Sequence, residues 1–159
     1  MVYKIFISHS GKDSELAEEI YSRVSRNNGI VSYCYEHDPK PGRDINEKVK
    51  KAIRESDAVV VLLTPNSLSS PYVQQEIGYA IGIRRQIIPV VLPSISKQNL
   101  AMLKNIEYID FGTPEKGIRE LSNHLTQQQQ LKKEREDMFF GAAIMGIFAF
   151  LAWDVLTKK

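Results

Sequence analysis

"AVVVLLT", residues 58–64, carries no polar side chain before its last position. A half-exposed strand alternates apolar and polar residues, so a strand without alternation has both faces covered. The stretch therefore reads as the central strand of a parallel sheet with helices on either side. Working outward, four more short apolar runs follow the same logic: "YKIFIS" (3–8), "IVSYCY" (30–35), "QIIPVVLP" (86–93) and "IEYIDF" (106–111). Helical spacing fills the intervals near 13–26, 44–55, 70–84 and 96–104, and resumes from about 114. Five strands joined by such crossovers predict a doubly wound α/β domain. The expected form is flavodoxin-like, a five-stranded parallel sheet in the order 2-1-3-4-5 flanked by helices.

Composition narrows the function classes. The 159 residues are 43% hydrophobic and 25% charged, which describes a globular domain with a short appendage. Lysine and arginine number 21 against 19 acidic residues, and the net charge of +2 gives no ground for a nucleic-acid partner. The single cysteine, Cys34, excludes an internal disulfide and fits a reducing compartment. His9, His37 and His124 lack metal-ligand spacing, so no metal site is expected. The chain opens directly in its first strand, with no sign of a secretory signal.

The C-terminal part reads differently. Residues 1–126 form the expected domain, and "QQQQLKKERED" (127–137) reads as a polar helical linker. It leads into "MFFGAAIMGIFAFLAW" (138–153), sixteen residues without a charge. Sixteen helical residues span about 24 Å, short of a hydrocarbon core of about 30 Å. Trp153 at the boundary, with Lys158 and Lys159 reaching the headgroups, would close the gap. An apolar helix over 138–157, crossing the membrane once with the domain in the cytoplasm, is therefore expected; a helix buried in an oligomer is the alternative. Ala142, Gly146 and Ala149 fall on one face of it, where small side chains permit close helix contact.

In doubly wound folds, ligands bind beyond the carboxyl ends of the strands, where the winding reverses. Here that place lies between "SHSGKDS" (8–14), after strand one, and "PNSLSS" (65–70), after strand three. The second loop runs into "SSPYVQQEIGYA" (69–80), where Ser70 is placed to cap a helix and Pro71 suits its first position. Val73, Ile77, Ala80, Ile81 and Arg84, the last through its aliphatic stem, make the stripe of that helix, with Glu76 on its shoulder rather than on its far side. Glu76 thus points towards the crevice. The loops lack a phosphorylatable aspartate, a complete P-loop and a G-x-S-x-G elbow.

Several of these segments, in order, resemble the TIR (Toll/interleukin-1 receptor) domain family in its bacterial form. "KIFISHSGKD" looks like the family's first strand and following loop. "DPKPGRDINEKVKKAIRESDAVVVLLTPNSLSSPYVQQEI" looks like its BB loop, second helix, third strand and active-site helix. For the members that are enzymes, the Ser-x-Trp-Cys-x-x-Glu segment falls on Ser70 to Glu76, which makes Glu76 the implied catalytic residue for cleaving NAD+. The sequence departs at Tyr72 and Val73, where the family has Trp and Cys. Tyr72 keeps an aromatic face that can stack on a nicotinamide or adenine ring.

The resemblance further implies substrate contacts from Phe6, Ser8, His9 and Ser10 in the first loop region and from Asp38, Gly42 and Arg43 in the BB loop. Ser70 and Tyr72 complete the implied set. NAD+ would be the substrate, with no further cofactor and no metal. It also implies a homo-oligomer built through TIR–TIR contacts, the BB loop of one copy closing the pocket of the next. The implied setting is a prokaryotic immune effector acting against phage, the alternative a secreted mimic of host TIR domains. Many TIR domains act only as interaction scaffolds, and that reading stands beside the enzymatic one.

Overall fold

The structure, a computed structural model, describes residues 2–34, 45–96, 98 and 100–157. Its centre is β3 (Ala58–Leu63), whose six residues are all buried. β1 (Tyr3–Ser8) lies on one side of it and β4 (Gln86–Val91) on the other. β2 (Ile30–Tyr33) and β5 (Ile109–Asp110) form the edges. All pairings are parallel and the order is 2-1-3-4-5, as the sequence predicts.

Alternate residues of the strands feed two cores. Ile5, Ile7, Val60, Leu62 and Val90 face α1 (Ser14–Val24) and α5 (Pro114–Thr157), meeting Ile20, Val24, Ile118, Leu121 and Leu125. Phe6, Val59, Val61, Leu63 and Val91 face α2 (Ile45–Glu55) and α4 (Pro71–Gly82), meeting Val49, Ile53, Val73, Ile77 and Ala80. Each core is a sheet face closed by two helix stripes, the arrangement that the unalternating β3 demands.

Two connections differ from the expected elements. Pro65–Leu68, read as loop, forms the single turn α3, because Thr64 and Ser67 cap each other reciprocally and Pro65 takes the first helical position. Within 96–104, where a helix is expected, the described residues hold a 3-10 turn at Ala101–Leu103. A backbone bond from Ile95 to Leu92 turns the chain early, and Leu100 and Leu103 are its fully buried apolar anchors. Two anchors in one turn do not make a helical stripe.

The C-terminal helix also requires a correction. Among the described residues no helix is long and apolar enough to cross a membrane, so the span expected over 138–157 is not supported. Residues 127–137 are continuous with α5 and are fastened to the sheet's amino-terminal end. Gln129 donates to the carbonyl of Asn28 at 3.4 Å, and Lys132 Nζ donates to the Val2 carbonyl at 3.1 Å. Lys132 also grips both oxygens of Asp57 at 2.9 and 2.8 Å.

This clamp has a measurable consequence. Replacing Lys132 with Met leaves Asp57 without its cation and should lower unfolding stability by about 1 kcal/mol in chemical denaturation. Lys133→Met, on the exposed neighbour, should leave it unchanged.

Candidate functional site at the carboxyl end of the sheet

Ser8 ends β1 level with Val61 of β3, so the sheet register fixes its backbone at the carboxyl edge. Its side chain is buried, at 1% exposure. On the neighbouring segment, the chain leaves β3, makes the turn α3 and enters α4 through Ser69 and Ser70. Ser70 caps α4 by accepting from the Val73 amide at 3.4 Å, and Pro71 occupies the first turn. Val73, Ile77 and Ala80 seat the helix on the sheet, whereas Ile81 and Arg84, expected on the same stripe, are exposed where the helix ends. Glu76, between the first two, is thereby turned inward and half-buried. Ser8 Oγ donates to Glu76 Oε2 at 2.5 Å.

The electrostatics of this pair are unusual for a surface helix. Burial removes water from the Glu76 carboxylate and pushes its pKa from the ordinary 4.5 up to about 7. The Ser8 hydroxyl works in the opposite direction, since its hydrogen bond stabilises the ionised form. The result is a carboxylate that is only partly ionised at neutral pH. It will respond strongly to any positive charge brought beside it.

The other residues named from the sequence separate into distinct places. Phe6 is buried in the core and stacks on Tyr33, with ring centroids 5.9 Å apart, so it supports the site from beneath. His9 is half-buried, with Nδ1 4.0 Å from Cys34 Sγ. Ser10 is buried and caps the 3-10 turn Gly11–Asp13, accepting from the Lys12 amide at 3.4 Å. Tyr72, one turn before Glu76, is 69% exposed and free to offer a ring face. Asp38, Gly42 and Arg43 lie outside the described residues. Among the described residues no three His, Cys, Asp or Glu side chains gather into a group able to hold a metal ion.

The structure adds a cluster that sequence reading missed. Asp13 accepts from the Thr64 hydroxyl at 2.6 Å and from the Asn66 side-chain amide at 2.7 Å. Its partners stand 51 and 53 residues away, and no local pattern marks so distant a pairing.

The raised pKa of Glu76 predicts a stability signature. Between the ordinary 4.5 and about 7, the native state holds a proton that the unfolded chain has released. Wild-type stability should therefore fall as pH rises through that window and level off above it. Glu76→Gln does not titrate there, so it should gain on wild type by about 3 kcal/mol over the same rise. Denaturation midpoints of both proteins across the window test this.

The comparisons with known proteins agree with the topology. Over 90 residues the chain is 29% identical to a protein of Brachypodium distachyon described as a probable 2' cyclic ADP-D-ribose synthase, BdTIR. That match spans 55% of this chain and 40% of the plant protein. The TIR domain of the Toll-related receptor TRR-2 from Hydra magnipapillata shares the fold with a TM-score of 0.65 at 22% identity. It aligns over 81% of this chain and 99% of its own. A TIR-STING receptor from C. gigas, in complex with 2',3'-cGAMP, gives a TM-score of 0.68 at 24% identity. The likeness covers 78% of this chain and 39% of that one. The TIR domain family model matches residues 5–122, from the first strand into α5, and the chain belongs to that family.

Proposed function

We propose that this TIR domain cleaves NAD+ at the bond between nicotinamide and ribose, releasing nicotinamide and ADP-ribose or a cyclic variant of it. The observation that carries this reading is the half-buried Glu76 carboxylate, held by Ser8 at the carboxyl end of the sheet. The chemistry asks for little more. Nicotinamide departs as a neutral molecule from a cationic pyridinium, so no acid has to protonate it. The ribose is left as an oxocarbenium-like centre, and a carboxylate in apolar surroundings stabilises that charge more strongly than one in water. The cationic ring of the substrate would itself draw the proton off Glu76. The substrate thus helps to generate the form of the residue that the transition state needs.

Tyr72 supplies an exposed aromatic face next to this carboxylate for ring stacking. The plant relative's description as a cyclic ADP-ribose synthase supports the same reaction class. We further propose that the domain works in a self-associated form, a neighbouring copy completing the pocket, in prokaryotic defence against phage. NAD+ levels in bacteria expressing the chain, followed with and without infection, test the setting; unchanged levels throughout would remove it.

Nicotinamide release by concentrated full-length protein tests the reaction itself. Glu76→Gln and Glu76→Ala should each lose at least about 100-fold in turnover, the usual cost of removing a group that stabilises transition-state charge. Turnover should also rise more steeply than protein concentration. Equal release by wild type and both variants would remove Glu76 from catalysis. Absence of release at every concentration, in protein that still self-associates, would favour the scaffold reading.

A further inference from the structure

The hydrogen bond between Ser8 and Glu76 joins two parts of the chain that no backbone pairing connects at that point. Ser8 is placed by the sheet, whereas Glu76 is carried on a helix reached through α3 and a two-residue joint. The distance between them depends on how firmly the segment 64–70 is held against the loop after β1. Asp13 is the side chain that crosses this gap. Its two oxygens accept from Thr64 at 2.6 Å and from Asn66 at 2.7 Å, one at the head of α3 and one within it.

The bond from Thr64 has a fixed direction. The Thr64 hydroxyl already accepts from the Ser67 amide at 3.0 Å in its capping role, which leaves its proton free to donate to Asp13. Asp13 itself closes the 3-10 turn Gly11–Asp13, its amide donating to the Ser10 carbonyl at 2.8 Å. The two loops that border the candidate site are thus stitched together by one carboxylate, through bonds of the charge-assisted kind.

We infer that Asp13 is a positioning residue for the Glu76 site: by locking α3 to the loop after β1, it sets the reach of Ser8 to the Glu76 carboxylate. Asp13 acts through Thr64 and Asn66, not on a substrate. The inference rests on the reading of Glu76 as the reactive group, but its geometric core is open to a test that needs no turnover.

The experiment follows the Glu76 side-chain carboxyl by 13C NMR titration in the full chain, for wild type, Asp13→Ala, Asn66→Ala, Ser8→Ala and the double variant Asp13→Ala/Ser8→Ala. Losing the Ser8 hydrogen bond should raise the Glu76 midpoint by about one unit, the size of a hydrogen bond to a carboxylate. Asp13→Ala should raise it in the same sense, and Asn66→Ala by a smaller amount. Loss of Asp13's own negative charge acts the opposite way, lowering the midpoint, so a rise reports on Ser8. In the Ser8→Ala background, Asp13→Ala should add nothing.

In turnover assays at a pH below the midpoint, Asp13→Ala should reduce kcat up to about tenfold with KM little changed. A folded Asp13→Ala protein whose Glu76 midpoint stays put or falls would overturn the inference, as would an equal further rise in the Ser8→Ala background. If Asp13→Ala does not fold, the direction of the Asn66→Ala shift decides by the same criterion. Wild-type protein without turnover would count against the proposed reaction, while the titrations would still decide the role of Asp13.

Discussion

Everything in this domain is arranged around a strand that cannot meet water on either side. Each of the six residues of β3 is buried, and neither face offers a polar side chain. Burying apolar side chains at about 1.5–3 kcal/mol each favours a sheet covered twice over a hairpin covered once. The two helix layers, the parallel pairing and the crossovers follow from that requirement. So does the place of the site, because the chain leaving β3 must turn over the carboxyl edge before it can return as a helix.

That turn is where the structure spends polar groups. Ser8, Ser10, Thr64 and Ser67 are all buried, and each has a hydrogen-bond partner. Buried hydroxyls are tolerated when satisfied and costly when not. Here they hold two loops and a short helix in register. Beside these hydroxyls Glu76 stands out, since its burial makes ionisation costly and its one hydroxyl donor offsets only part of that cost. A fold selected for stability alone would place an amide or an apolar residue there. A carboxylate kept at the edge of ionisation is instead a mark of a functional position.

The opposite end of the molecule follows a separate logic. The stripe of α5 that begins with Ile118, Leu121 and Leu125 continues through Gln129 and Lys132, trading core contacts for bonds to the amino-terminal ends of the strands. Lys132 closes on Asp57, which also accepts from the Lys4 amide at 2.8 Å. Beyond it the helix exposes Met138, Phe139, Phe140 and Met145, each about 70% open to solvent. A polar sequence run and a clamped helix are therefore compatible. Lys132 faces strand ends, which carry backbone groups and an aspartate rather than apolar surface.

What the sequence by itself determined was whatever depends on local periodicity. The absence of alternation in residues 58–63 marked the central strand, and the spacing of Val73, Ile77 and Ala80 marked the helix that carries Glu76. Ser70 and Pro71 marked its start, because caps and first-turn prolines are chosen by neighbours within four residues. Glu76 was legible for the same reason, as a carboxylate on the shoulder of an apolar stripe. Tertiary structure alone decided the pairings between segments far apart. Ser8 meets Glu76 across 68 residues and Asp13 meets Thr64 across 51, and neither partner announces the other in its own neighbourhood. The same holds for Phe6, whose apolar character suits a binding face and a core equally. Only the stacking against Tyr33 and the closure of α2 and α4 over the sheet place it inside. Periodicity fixes which face of an element is buried, whereas the groups that converge at an edge are set by how whole elements pack.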